Sequence, residues 1–81
     1  MRVTVRLFAR LRDVVGAHEV DVEVAERATI DDVWAALSVS HPAVAPFRAS
    51  LSAALNDDYA KMTAPVADGD EVAFLPPVSG G

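Results

Sequence analysis

Two runs of period-two alternation near the start of the chain constrain its fold more than any other feature. In the first, Val3, Val5 and Leu7 lie on one face and Arg2, Thr4 and Arg6 on the other. In the second, Val20, Val22 and Val24 oppose Glu19, Asp21 and Glu23. Alternation with β-branched residues predicts half-buried strands. Between them, Leu11, Val14 and Val15 recur at helical spacing over Ala9 to Val15, and Gly16 follows as a C′ residue, which predicts a helix of about two turns. The link is so short that the two strands are expected to pair. Phe8 is the exception to the first pattern, because it falls on the polar face.

Such a sheet needs a cover on its apolar side. Ile30, Val33, Trp34 and Leu37 supply it, forming an i, i+3, i+4, i+7 stripe. Thr29 with Asp32 reads as a capping-box variant, Asp31 suits the helix dipole, and Pro42 stops the helix. The stretch His41 to Ser50 reads as a loop with Val44 and Phe47 tucked inward. Leu51 to Leu55 reads as a weak strand, Asn56-Asp57-Asp58 as a turn, and Tyr59 to Thr63 as a short edge strand. Asp68-Gly69 is a turn before the last strand, Glu71 to Leu75, in which Val72 and Phe74 face one way and Glu71, Ala73 and Leu75 the other. The order predicts an α+β fold: a β-grasp mixed sheet with one main helix packed across one face. Residues 1–75 form that domain, and 76–81 form an extended tail.

The chain has 81 residues and no cysteine. It therefore makes one domain without disulfides, thiolate metal sites or a cysteine nucleophile. Twelve acidic residues against seven basic ones give a net charge of −5, which argues against nucleic acid as a partner and for basic docking partners. No apolar run approaches the roughly 20 residues of a membrane span. The opening MRVTVRLFAR has no signal-peptide core, so a soluble, cytoplasmic protein without membrane partners is expected.

Familiar catalytic constellations are missing, including GxGxxG, the P-loop, GxSxG and HExxH. His18 and His41 read as structural or solvated, and no metal set is expected. Asp31-Asp32 and Asp57-Asp58 are explained by cap and turn chemistry. What stands out is the ending Leu75-Pro76-Pro77-Val78-Ser79-Gly80-Gly81. Two prolines halt the strand and favour extended backbone. Six residues beyond it reach on the order of 20 Å. Gly80 and Gly81 give the tip no side chain, so it can thread a narrow channel and present only a carboxylate. Phe8 and Leu75 both point away from the core; if their strands are neighbours, they make one apolar patch beside the tail. Arg10 and Arg12 are candidate rim charges.

The run from Ala67 to Gly81, and above all its PPVSGG ending, resembles the C-terminus of the molybdopterin synthase small-subunit family, the ubiquitin-like MoaD/ThiS sulfur carriers. Leu7-Phe8-Ala9-Arg10-Leu11-Arg12-Asp13 is similar to that family's first strand and helix, and Asn56 and Pro65 fall at matching intervals. The resemblance spans essentially the whole chain and is weakest from His41 to Ser50. It implies that a ubiquitin-activating-like adenylyltransferase spends ATP to adenylate Gly81. Sulfur from a persulfide donor then leaves a thiocarboxylate (1-thioglycine) there. The tail Pro76, Pro77, Val78, Ser79 and Gly80 threads into the large subunit, where the sulfur passes to cyclic pyranopterin monophosphate in molybdenum cofactor synthesis.

The same resemblance implies a heterotetramer of two small and two large subunits. Phe8 and Leu75 contact the partner in it, and the chain acts as a non-catalytic sulfur donor with no bound cofactor, the catalytic pocket lying on the large subunit. A cysteine-free chain has no other plausible atom on which to carry transferable sulfur. The alternatives are a carrier for thiamine thiazole, cysteine synthesis or tRNA thiolation, a ubiquitin-like protein modifier restricted by its single lysine, Lys61, and a plain interaction domain.

Overall fold

The computed structural model describes residues 1–77. Strand β1 (Arg2–Leu7) leads through helix α1 (Ala9–Val15) to β2 (Glu19–Glu23), then helix α2 (Ile30–Ser40) and a 3₁₀ segment (Pro42–Ser50). Strands β3 (Ser52–Leu55), β4 (Asp58–Ala60) and β5 (Glu71–Leu75) complete one sheet ordered β2-β1-β5-β3-β4. Only β1 and β5 run parallel; the other neighbours are antiparallel. This is the mixed sheet of a β-grasp, with the first and last strands side by side at its centre.

The alternation decides which face is buried. Val3, Val5 and Leu7 of β1 and Val72 and Phe74 of β5 are buried together with Val22 and Ala53, and α2 lays Ile30, Val33, Trp34 and Leu37 over them. Trp34 meets Phe74 edge-on, ring centroids 4.9 Å apart at 74°, an arrangement that adds about 0.5–1.5 kcal/mol beyond area burial. Val3, Val5, Leu7, Val22, Val72, Phe74 and the four residues of the helical stripe are therefore buried as selected, whereas Val20 and Val24, toward the β2 edge, are only half-buried.

Local chemistry fixes the element ends. Gly16 takes φ 83° and its N–H donates to the Arg12 carbonyl at 2.8 Å, closing α1. Thr29 and Asp32 form the full capping box at the start of α2. The next amides are satisfied from across the chain: Ile30 N–H donates to Ala64 O (3.0 Å) and Asp31 N–H to Met62 O (2.8 Å), meeting donors that a helix N-terminus leaves free.

Besides opening β3 at Ser52 rather than Leu51, the structure corrects the expected elements at three places. The stretch expected to be a loop at 41–50 is 3₁₀ from Pro42 to Ser50, where Val44 plugs into the core as expected and Phe47 is half-buried. A bidentate contact holds it to α2: Arg48 Nε and Nη2 donate to the Asp31 carboxylate at 3.0 and 3.2 Å. Second, the turn comprises only Asn56 and Asp57, both left-handed (φ 49° and 75°). That two-residue geometry suits the twist of a hairpin, so Asp58 enters β4 opposite Leu55. Third, β4 ends at Ala60 rather than Thr63, because Met62 and Ala64 turn to serve α2. It is an edge strand, as anticipated.

Asn56 also works as a buckle. Its backbone N–H donates to Glu71 O (2.8 Å), its Oδ1 accepts from Glu71 N–H (3.0 Å), and its Nδ2 donates to Asp70 Oδ1 (3.2 Å). The β3–β4 turn is thereby tied to the start of β5.

Candidate functional site

β5 is the element from which the chain's last residues depart. Flanked by β1 and β3, it delivers Leu75, Pro76 and Pro77 from the middle of the sheet rather than from an edge. Val78, Ser79, Gly80 and Gly81, the tip of the expected tail, lie outside the described residues.

The parallel register pairs Leu7 with Phe74, so the residues that follow, Phe8 and Leu75, flank each other at the same end of the sheet. Phe8 keeps extended backbone (φ −125°, ψ 154°) before α1 begins. Its side chain consequently emerges on the face opposite Leu7. Phe8 is 37% exposed and Leu75 half-buried. The two residues that break the alternation are thus brought together beside the departing chain.

The open face divides into two halves. On the β1–β2 side it is charged and, Glu19 apart, internally paired: Arg2 Nε donates to Glu23 (3.0 Å), Thr4 Oγ1 to Asp21 (3.3 Å), and Arg6 meets Glu71 at 3.6 Å. The hydrogen bond and charge of Glu23 also hold the Arg2 guanidinium pKa above its ordinary value. On the β5–β3–β4 side the face is apolar. One row across the sheet runs Arg6, Ala73, Ala54, Tyr59, and Leu75 lies opposite Ser52 in the next row. The two alanines form a low floor between Tyr59, which is 85% exposed, and the Arg6–Phe8 stack, where the guanidinium carbon is 5.7 Å from the ring centroid.

Tyr59, Ala54 and Arg6 are members of this surface that the sequence reasoning did not assign. Alternation already turned Arg6 outward, but nothing in a three-residue strand after a turn marks Tyr59 as outward-facing. Arg10 and Arg12, the candidate rim charges, are exposed on α1; among the described residues neither side chain has a hydrogen bond or ion pair.

A flat apolar strip with an aromatic at each side, beside the point where the chain leaves β5, is equipped to bind a protein surface, not to enclose a small molecule. Among the described residues no polar or charged residue is buried.

Comparisons with known proteins agree with this geometry. The model of the ThiS family matches residues 5–81. The molybdopterin synthase sulfur carrier subunit of Chlamydomonas reinhardtii is 37% identical, covering all of both chains. That of Escherichia coli K12 is 35% identical over 98% of this chain and 99% of its own. Among solved structures, the crystal structure of small archaeal modifier protein 1 from Haloferax volcanii superposes with a TM-score of 0.90 at 34% identity, covering both chains fully.

Proposed function

The chain belongs to the ThiS family, and from that premise we propose that it is the sulfur carrier subunit of a molybdopterin synthase, with Gly81 as the carrier residue. The observation that carries the reading is the exit of the chain from the central strand, at Leu75-Pro76-Pro77, beside the Phe8–Leu75–Tyr59 strip. A partner gripping that strip receives the tail from a fixed origin, and Pro76 and Pro77 stiffen the first steps of its path.

The chemistry follows from the terminus. A carboxylate is a poor electrophile, so ATP is spent on it: a Gly81 oxygen attacks the α-phosphorus, pyrophosphate leaves, and an acyl adenylate forms. The outer sulfur of a persulfide attacks the carbonyl carbon and AMP departs. A thiol then takes the donor's remaining sulfur as a disulfide, which leaves the thiocarboxylate. In the large subunit this sulfur is the nucleophile toward cyclic pyranopterin monophosphate. Glycine at both terminal positions lets enzyme backbone approach closely at each stage. The small subunit supplies reach, docking and a sulfur atom; the large subunit supplies the pocket. Arg10 and Arg12 act at the rim, and two copies of each subunit make the assembly.

Intact mass after co-expression with the cognate activating enzyme tests the reading. One oxygen exchanged for sulfur at the C-terminus is expected, and an unchanged mass refutes it. The likeness to an archaeal modifier protein supports a second reading, a protein modifier joined through Gly81 to lysines. Isopeptide-linked conjugates, in place of sulfur delivered to the pterin precursor, would select it.

A further inference from the structure

The sheet has two edges, β4 and β2. β4 spans only three residues, whereas β2 spans five. The ladder defines which groups of β2 are free. The Met1 amine donates to Val24 O and Val24 N–H to Met1 O, Leu7 N–H donates to His18 O, and Val3 and Val5 lie opposite Val22 and Val20. In an antiparallel pair these alternate positions use their backbone groups on the partner strand. The N–H and C=O groups of Glu19, Asp21 and Glu23 therefore face outward along the edge. Beside this edge, between β2 and α2, runs a cleft of about 130 Å³ lined by Val20, Val22, Ala36 and Leu37 together with the polar residues Asp21, Glu23, Ser40 and His41.

We propose that the β2 edge accepts an extended basic segment of a partner protein as a sixth strand, antiparallel to β2, its apolar side chains entering the β2–α2 cleft. This surface is distinct from the Phe8–Leu75–Tyr59 strip and does not depend on the sulfur-carrier reading. The charge pattern selects the occupant. Two copies of this chain pairing edge to edge would set the carboxylates of Glu19, Asp21 and Glu23 against one another, and like charges directly opposite are destabilising. Thr4 and Arg2 already engage Asp21 and Glu23, yet all three acids are exposed, and Glu19 has no side-chain partner among the described residues. An incoming strand places its residues opposite the three acids on the open face, where Lys or Arg meets them. The intervening residues, opposite Val20 and Val22, point toward α2, where a cleft of this size accepts valine or alanine. The recognised pattern is basic, small apolar, basic, small apolar, basic. The chain's net charge of −5 steers such a segment inward.

The probe is a capped peptide, Lys-Val-Lys-Val-Lys, titrated into the ¹⁵N-labelled full chain. Expected are amide shifts and slowed hydrogen exchange at Glu19, Asp21 and Glu23, with Ala54, Ala73 and Tyr59 unmoved. Methylating the peptide's lysine amide nitrogens keeps every charge but removes the donors facing β2, and is expected to weaken binding at least about tenfold. Asp21→Lys is expected to weaken the parent peptide by a similar factor; should that variant fail to fold, the methylated peptide tests the wild-type chain unaided. Equal binding of parent and methylated peptides would overturn strand addition. So would shifts centred on the strip, undiminished affinity in a folded Asp21→Lys, or no shift at about 1 mM peptide.

Discussion

Replacing Asn56 separates two energies that the buckle combines. The side chain makes two hydrogen bonds, to Glu71 N–H and to Asp70. At a partly exposed site each contributes about 0.5–1 kcal/mol net. The backbone at φ 49° adds a further cost of roughly 1 kcal/mol for alanine, whose Cβ is disfavoured in the left-handed region. Asn56→Ala should therefore lose about 2–3 kcal/mol, and Asn56→Gly, which tolerates the conformation, about 1–2 kcal/mol. Set against the 5–15 kcal/mol typical of whole domains, these are large fractions, and in a chain of this size each kcal/mol lowers Tm by about 4–8 °C. Urea unfolding of the three proteins in parallel measures both terms, because the alanine–glycine difference isolates the backbone cost. Equal midpoints for Asn56→Ala and Asn56→Gly would refute the conformational term. A glycine variant as stable as wild type would show that the hydrogen bonds contribute nothing.

Other outcomes follow from the same geometry. Leu37→Ala, which empties a buried site under the sheet, should cost about 2–5 kcal/mol in urea unfolding, against little for an exposed control such as Val39→Ala. Phe8→Ala and Leu75→Ala should leave Tm nearly unchanged while weakening the large-subunit complex by about 1 kcal/mol or more each in titration calorimetry. Deleting Gly81 draws the carboxylate back by about 3.5 Å and should abolish sulfur transfer from a thiocarboxylated chain without altering the melting curve. Hydrogen bonding to Arg48 lowers the Asp31 pKa, so this contact's stabilisation is present above the ordinary aspartate pKa and is lost as pH falls through the lower folded value. Arg48→Gln should flatten that part of an acid-unfolding curve, slightly, because both groups are exposed to solvent.

Much of the fold was legible because it rests on short-range rules. Strict alternation marked β1, β2 and β5, Thr29 with Asp32 announced α2, and Gly16 closed α1. The 3₁₀ segment was not legible, since its conformation depends on Val44 reaching the core and Arg48 reaching Asp31, contacts between distant parts of the chain. The hairpin boundary failed for a different reason. Asn, Asp and Asp all favour turns, and only the left-handed backbone at the first two shows where the turn ends. Phe8 and Leu75 could be read as outward-facing because they violate a regular pattern. Tyr59 violates none, and the β2–α2 cleft exists only once helix and sheet are packed.

The central, parallel placement of β5 has a mechanical consequence. When a partner draws the chain taut beyond Leu75, the force runs along the strand axis. Hydrogen bonds to β1 and β3 lie across that axis on both sides, so they are loaded in shear and must yield together. At a sheet edge the same pull, directed sideways, could peel bonds one by one. A domain built this way can be tugged by its end with the load spread over the two ladders that join the halves of its sheet.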